Sequence, residues 1–140
     1  MVAIPLVWFA NGISERIFST ADTPLAPVLS NFAGSHDLLI QTLLFSQAVL
    51  IAPIIEETLF RGVLYRSLQF RMSWMWAMLV TAAIFALLHP QMPAGFLGLF
   101  VLGLVFNGLY VLRGSILPCV IAHAVNNAMI FASLTLLLAN

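Results

Sequence analysis

The chain reads as an all-α protein, a polytopic transmembrane helix bundle of about four spans. Three observations predict this. Of its 140 residues, 62% are hydrophobic and 7% are charged, whereas a soluble domain is only about 45 to 50% apolar. The ten charged residues are five Arg, three Glu and two Asp; none falls between Arg71 and Arg113, and none follows Arg113. Uncharged apolar runs of that length are membrane spans rather than the core of a soluble fold. The expected location is therefore integral to the membrane and multi-pass, with the lipid bilayer itself as a partner. Net charge is zero, which gives no electrostatic case for a nucleic-acid partner. The single cysteine, Cys119, lies in an apolar run and is expected to pack.

Residues 1–37 form an N-terminal region and residues 38–140 the bundle proper. Met1 to Ala10 is apolar but too short to span and holds Pro5. It lacks the basic start and cleavage pattern of a signal peptide, so it is expected to be the tail of a span whose beginning is missing. Asn11 to Asp37 is mixed in polarity, with Gly12, Pro24, Pro27 and Gly34. It is expected to be an extramembrane connection with a short interfacial helix around Ser14 to Ser19.

The first span opens at Leu38, and its helix continues past the acids to about Arg71. At 1.5 Å per residue that is roughly 50 Å, too long for one straight crossing, so Pro53 is expected to kink or divide it. The second span is Trp74 to His89, closed by Pro90, with Trp74 and Trp76 as interface anchors. Gln91 to Ala94 is a turn. The third span is Gly95 to Leu112, Arg113-Gly114-Ser115 is a tight turn, and the fourth span is Ile116 to Leu138. Pro118 falls in the first turn of that last helix, where proline is tolerated. Arg66, Arg71 and Arg113 fall at two turns on one side of this topology, and the positive-inside rule places that side in the cytoplasm.

Against this background Glu56-Glu57 stand out. They follow eighteen uncharged residues, Leu38 to Ile55, and an acid at membrane depth costs about 2.5 to 3.5 kcal/mol on insertion scales. Glu57 and Arg61 are spaced i,i+4 and can pair. Phe85 and His89 repeat that spacing on the second span, as do His123 and Asn127 on the fourth. Counted from the cytoplasmic helix ends, Glu56 and His89 lie roughly 20 Å deep and His123 nearer 12 Å. That predicts a shared Glu56–His89 site, with His123 and Asn127 on a neighbouring wall. Asn126 faces about 100° away from Asn127 and is left out of the site.

Such a cluster supports water activation. A carboxylate away from bulk water suits a general base, and a histidine opposite it can share or pass on the proton. An Asn amide and a His N–H can donate to a developing oxyanion. Zinc is the alternative: Glu56, His89 and His123 are the candidate ligands, with water in the open position. Blander roles stand beside these. Glu57–Arg61 can be structural glue between helices, His89 can cap its helix end, and His123 and Asn127 can be interhelical hydrogen-bond glue.

Three motifs then stand in order on three separate spans. Glu56-Glu57-Thr58-Leu59-Phe60-Arg61 matches E-E-x-x-x-R, Phe85 to His89 matches F-x-x-x-H, and His123 to Asn127 matches H-x-x-x-N. Together they resemble the CPBP family of intramembrane endopeptidases, which includes type II CAAX prenyl endopeptidases and bacterial bacteriocin-processing or self-immunity proteins. The resemblance covers about Pro53 to Phe131. It implies that residues 38–140 are a catalytic transmembrane domain that hydrolyses a peptide bond of a membrane-associated peptide or protein, such as a prenylated CAAX end or a leader peptide. It implies Glu56 as base, His89 assisting on the water, His123 and Asn127 at the oxyanion, and Glu57 and Arg61 in support. Two other functions fit the same composition: a non-catalytic immunity or scaffold protein that reuses the fold, and a proton-coupled carrier, since Glu and His within a membrane also mark proton relays. No G-x-S-G stretch, intramembrane aspartate or H-E-x-x-H is present.

Overall fold

A computed structural model describes residues 3–18 and 26–139 and shows a bundle of six helices with no strand among them. In chain order these are α1 (Ala3–Phe18), α2 (Pro27–Gly34), α3 (Leu38–Gln69), α4 (Trp74–Leu87), α5 (Phe96–Arg113) and α6 (Leu117–Leu138). α3, α5 and α6 are long and apolar enough to cross a membrane, whereas α4 has 14 residues, about 21 Å at 1.5 Å per residue.

Local sequence sets the helix ends. Asp37 caps α3: its Oδ1 accepts from the Leu39 N–H at 2.8 Å, which satisfies one of the first-turn donors that no helix can pair internally. α5 stops at Gly114, whose left-handed backbone (φ 62°) lets its N–H reach Tyr110 O at 2.8 Å, the usual glycine stop. Pro118 occupies the first turn of α6.

Two expectations about the N-terminal region are corrected. Asn11 to Phe18 are not part of a connection; they continue α1, which packs along α5. The reason is small-residue complementarity. The Asn11 amide lies where a Cβ at Gly98 would stand, and the buried Ser14 hydroxyl accepts from the Leu97 N–H at 3.4 Å. Further on, Pro27–Gly34 forms a helix that the sequence reading lacked, held against α6 by the edge-to-face contact of Phe32 with Phe131 at 4.9 Å. Ser19, the last residue of the expected interfacial helix, and Pro24 lie outside the described residues.

Pro53 does not divide α3. The helix widens around it into a π-helical turn, Gln47–Ile51, and the Ala52 N–H reaches back five residues to Gln47 O. In that register the donor for Ala48 O would be Pro53, which has no N–H. Asn127 Nδ2 on α6 donates to that carbonyl instead, at 2.8 Å. A second π-helical stretch, Thr58–Tyr65, follows the acids. Tyr65 and Tyr110 meet edge-to-face at 5.7 Å, so α3 and α5 end together and Arg66, Arg71 and Arg113 gather at one end of the bundle.

The core joins Phe60, Phe85, Leu102, Phe106 and Cys119 with Val7 of α1. α4 and α5 approach most closely at Gly103, where a Cβ would sit 3.0 Å from Ala82 Cα and 3.1 Å from Ala82 Cβ. Both opposing atoms belong to a residue with no side chain to swing away. Gly103→Val is expected to destabilise the bundle by roughly 1 to 3 kcal/mol through overpacking. Gly108→Ala, where nothing lies within 4 Å of the new Cβ, should be neutral or stabilising. Thermal unfolding of the two variants in detergent checks the contrast.

Candidate active site

Glu56 and Glu57 are adjacent on α3, so their side chains leave the helix about 100° apart. That angle sends them to different environments. Glu57 is fully buried and points into the core. Its Oε1 accepts from Arg61 Nη1 at 3.0 Å and from His123 Nδ1 at 2.9 Å. Arg61, also fully buried, spends its remaining fork on α5: Nη2 donates to Gly103 O at 3.0 Å and Nε to Asn107 Oδ1 at 3.2 Å. Asn107 in turn donates through Nδ2 to Met78 O on α4 at 2.9 Å. The guanidinium carbon lies 5.0 Å from the Phe85 ring centre and 5.2 Å from that of Phe106, within cation–π range.

Glu56 turns the other way, into a cavity of about 480 Å³ between α2, α3, α5, α6 and the turn after α4. Its side chain is 29% exposed. The Oε2 oxygen is buried and has no hydrogen-bond partner, so the carboxylate opens to the cavity through Oε1. Two imidazoles face Oε2: His89 Nε2 at 3.6 Å and His123 Nε2 at 4.0 Å.

Their opposite ring nitrogens fix the tautomers. His89 Nδ1 lies 2.7 Å from Phe85 O. A carbonyl only accepts, so this nitrogen carries the proton. His123 Nδ1 is fixed in the same way by the Glu57 carboxylate. In the neutral rings both Nε2 atoms therefore present lone pairs to a carboxylate oxygen. At 3.6 and 4.0 Å neither contact is a hydrogen bond, and Glu56 Oε2 faces two acceptors without a donor.

The structure thus brings together Glu56, His89 and His123, with Glu57 and Arg61 directly behind them. His123 belongs to this cluster and not to a neighbouring wall. The depth count assumed straight, regular helices running parallel, whereas α3 is π-helical through Thr58–Tyr65 and His89 lies beyond the end of its helix. A π-helical stretch closes its bonds five residues apart and shortens the helix. His89 is not on the second span's helix, which ends at Leu87; it sits in the turn that follows. There it caps the helix through Nδ1, and its Nε2 faces Glu56. Asn127 lines the cavity one turn beyond His123, its amide nitrogen on Ala48 O.

The zinc candidates meet but do not form a ligand set. Tetrahedral bonds of about 2.0 to 2.1 Å hold donor atoms roughly 3.3 Å apart, closer than the 3.6 and 4.0 Å found here. Among the described residues no group of three His, Cys, Asp or Glu is placed to hold a metal ion. Sequence reading missed Asn107 and Gln91. The signal for Asn107 was available: it is the one polar side chain in the middle of the third apolar run. Gln91 lines the cavity with its Oε1 buried and unpaired, and nothing in the sequence set it apart from other turn residues.

An all-α bundle with membrane-length helices and a carboxylate–histidine cluster at its cavity defines a class, that of helical membrane proteins with a polar cluster among their spans. The family model described as type II CAAX prenyl endopeptidase Rce1-like matches residues 37–129, well over half of the chain and every residue of the cluster. The chain belongs to this family of membrane-embedded, CAAX-type proteases. No curated protein and no solved structure matches it.

Arg61 is the residue whose loss should be felt most in stability. Removing one partner of a buried ion pair costs about 3 to 5 kcal/mol. Arg61→Ala should lower stability by that order, and Arg61→Lys should not restore it, because an ammonium cannot serve Glu57, Gly103 O and Asn107 with one planar fork. Denaturant titration in mixed micelles measures both.

Proposed function

We propose that the chain is a multi-pass intramembrane endopeptidase in which Glu56 is the general base. One observation carries the reading: the Glu56 carboxylate opens to the cavity through one oxygen and faces two tautomer-fixed imidazoles with the other. In this mechanism Glu56 Oε1 takes a proton from a cavity water, and the resulting hydroxide attacks the carbonyl carbon of a peptide bond. Rotation of the protonated carboxyl group then presents this proton to His89 Nε2, which gives it to the departing amide nitrogen as the C–N bond breaks. Oxyanion charge is met by the second N–H of Asn127 Nδ2, and by His123 in its doubly protonated form, in which Nε2 also carries a proton. Glu57 and Arg61 hold His123 in place and touch no substrate. No step needs a metal.

The substrate is a membrane-associated peptide or protein that reaches the site from the bilayer, such as a prenylated CAAX end or a leader peptide. Arg66, Arg71 and Arg113 mark the cytoplasmic side. Nothing in the charge pattern calls for nucleic acid.

The test is cleavage of membrane peptides by purified protein in bilayers. Glu56→Gln keeps the size of the side chain and removes the base, so it should slow turnover by about 10² to 10⁴-fold at an unchanged unfolding midpoint. His89→Ala should do the same to a lesser degree. Equal cleavage by Glu56→Gln sinks the mechanism, and no cleavage by the wild-type chain favours the scaffold or immunity reading of the same fold.

A further inference from the structure

A second cavity, of about 280 Å³, lies between α1, α5 and α6; Glu56, His89 and His123 do not line it. α1 packs along α5 and stands off α6, and the cavity is the cleft left between them. Its α1 wall is one helix face. Trp8, Asn11, Gly12 and Glu15 recur at helical spacing, which sets them in line. Gly12 keeps the cleft open: a Cβ there would meet nothing within 4 Å.

The cleft has a polar end and an apolar end. α5 has 18 residues, about 27 Å at 1.5 Å per residue, close to the hydrocarbon thickness of a bilayer. Its first turn therefore lies at one interface. Ser14 accepts the Leu97 N–H in that turn, so Glu15, next in sequence, stands at headgroup level. Val7 and Trp8 lie about 10 to 12 Å deeper along α1. Leu102 and Ile130 line the same cavity.

Charge defines the polar end. Glu15 is the charged residue of the lining, and it pairs with no cation among the described residues. Arg16 is its neighbour, but it leaves the helix about 100° away and is exposed in the last turn of α1. An acid and a base are thus offered side by side, unpaired with each other. Asn126 adds an amide whose contact is a 3.4 Å one to Asn127, which leaves its Oδ1 open.

We propose that this cleft binds a zwitterionic phospholipid whose headgroup ends in a primary ammonium. The ammonium donates to the Glu15 carboxylate and to Asn126 Oδ1, the phosphate meets Arg16, and an acyl chain descends past Gly12 along Trp8 and Leu102. A carboxylate accepts and does not donate, so an ammonium with three N–H groups completes it. A quaternary headgroup has the same charge and no hydrogen to give, and a net anionic lipid is repelled by Glu15. The site is independent of the hydrolase reading. Yet Leu99, Leu102, Asn126 and Ile130 line both cavities, so the lipid packs on the outer side of a wall of the candidate active site.

The test is lipid binding by the purified protein in detergent, read by intact-protein mass spectrometry and by thermal unfolding. The probes are dioctanoyl phosphatidylethanolamine, phosphatidylcholine and phosphatidylglycerol, with octylamine as the amine that lacks a phosphate. The ethanolamine lipid is expected to bind about tenfold or more tightly than the other three. Glu15→Gln should weaken it by about ten- to a hundredfold, the loss of a hydrogen bond to a charged group, and Arg16→Gln by a smaller factor. Gly12→Leu grows a side chain into the cleft where no neighbour stands. It should abolish binding without lowering the unfolding midpoint of the lipid-free protein. Equal binding of the choline or glycerol lipid overturns the proposal, as does equal binding of octylamine, which would make the site one for free amines. Unchanged binding in Gly12→Leu, or binding of none of the probes, overturns it as well.

Discussion

One guanidinium ties the bundle together. Arg61 is held at once by the Glu57 carboxylate, by Gly103 O and by Asn107. Through Asn107 the same network reaches Met78 on α4, and through Glu57 it reaches His123 on α6. Four helices are thereby fixed in register by one side chain. Between apolar helices in lipid no hydrophobic gain selects one register over another, because lipid tails are as apolar as leucine. A polar network that is satisfied in only one arrangement does select. Taking both charges out of water is costly, and such pairs often break even against apolar packing. What Arg61–Glu57 contributes is therefore position. The close approach of α4 and α5 at Gly103 and Ala82 serves the same end, since it brings a backbone carbonyl within reach of the fork.

Irregular backbone does the rest. Two π-helical stretches bracket the acidic pair, at Gln47–Ile51 and Thr58–Tyr65. Such turns inside α-helices occur often at functional sites, and here a local cause is visible. Pro53 strips Ala48 O of its donor, and Asn127 supplies one from α6. This draws the cavity-lining face of α6 against α3 one helical turn above His123. The distortion before the acids fixes which face of α3 meets α6.

Much of this could be read from the residues alone. Uncharged runs gave the bundle, and i,i+4 spacing gave the Glu57–Arg61 pair. Counting depth from the helix ends brought Glu56 and His89 to one place. The rest depended on properties that spacing does not encode. Depth counting assumes straight, regular helices, so it separated His123 from Glu56, whose side chains the structure brings within 4.0 Å. Asn11 and Ser14 looked like loop residues because polarity was read along the chain; their meaning lies in the fit to Gly98 and the Leu97 N–H on a distant helix. α2 gave no signal because eight residues with proline, serine and asparagine resemble a linker until Phe32 finds Phe131.

The two glutamates show how one ion pair can set the chemistry of its neighbour. A base must be free to take a proton, and a carboxylate already holding a guanidinium is poorly placed to do so. Arg61 is spent on Glu57, Asn107 and Gly103 O, and it cannot reach across to Glu56. The neighbouring acid is therefore left with two imidazole lone pairs and open cavity. The freedom of Glu56 thus has one physical origin: the buried arginine is fully committed to structure before any substrate arrives.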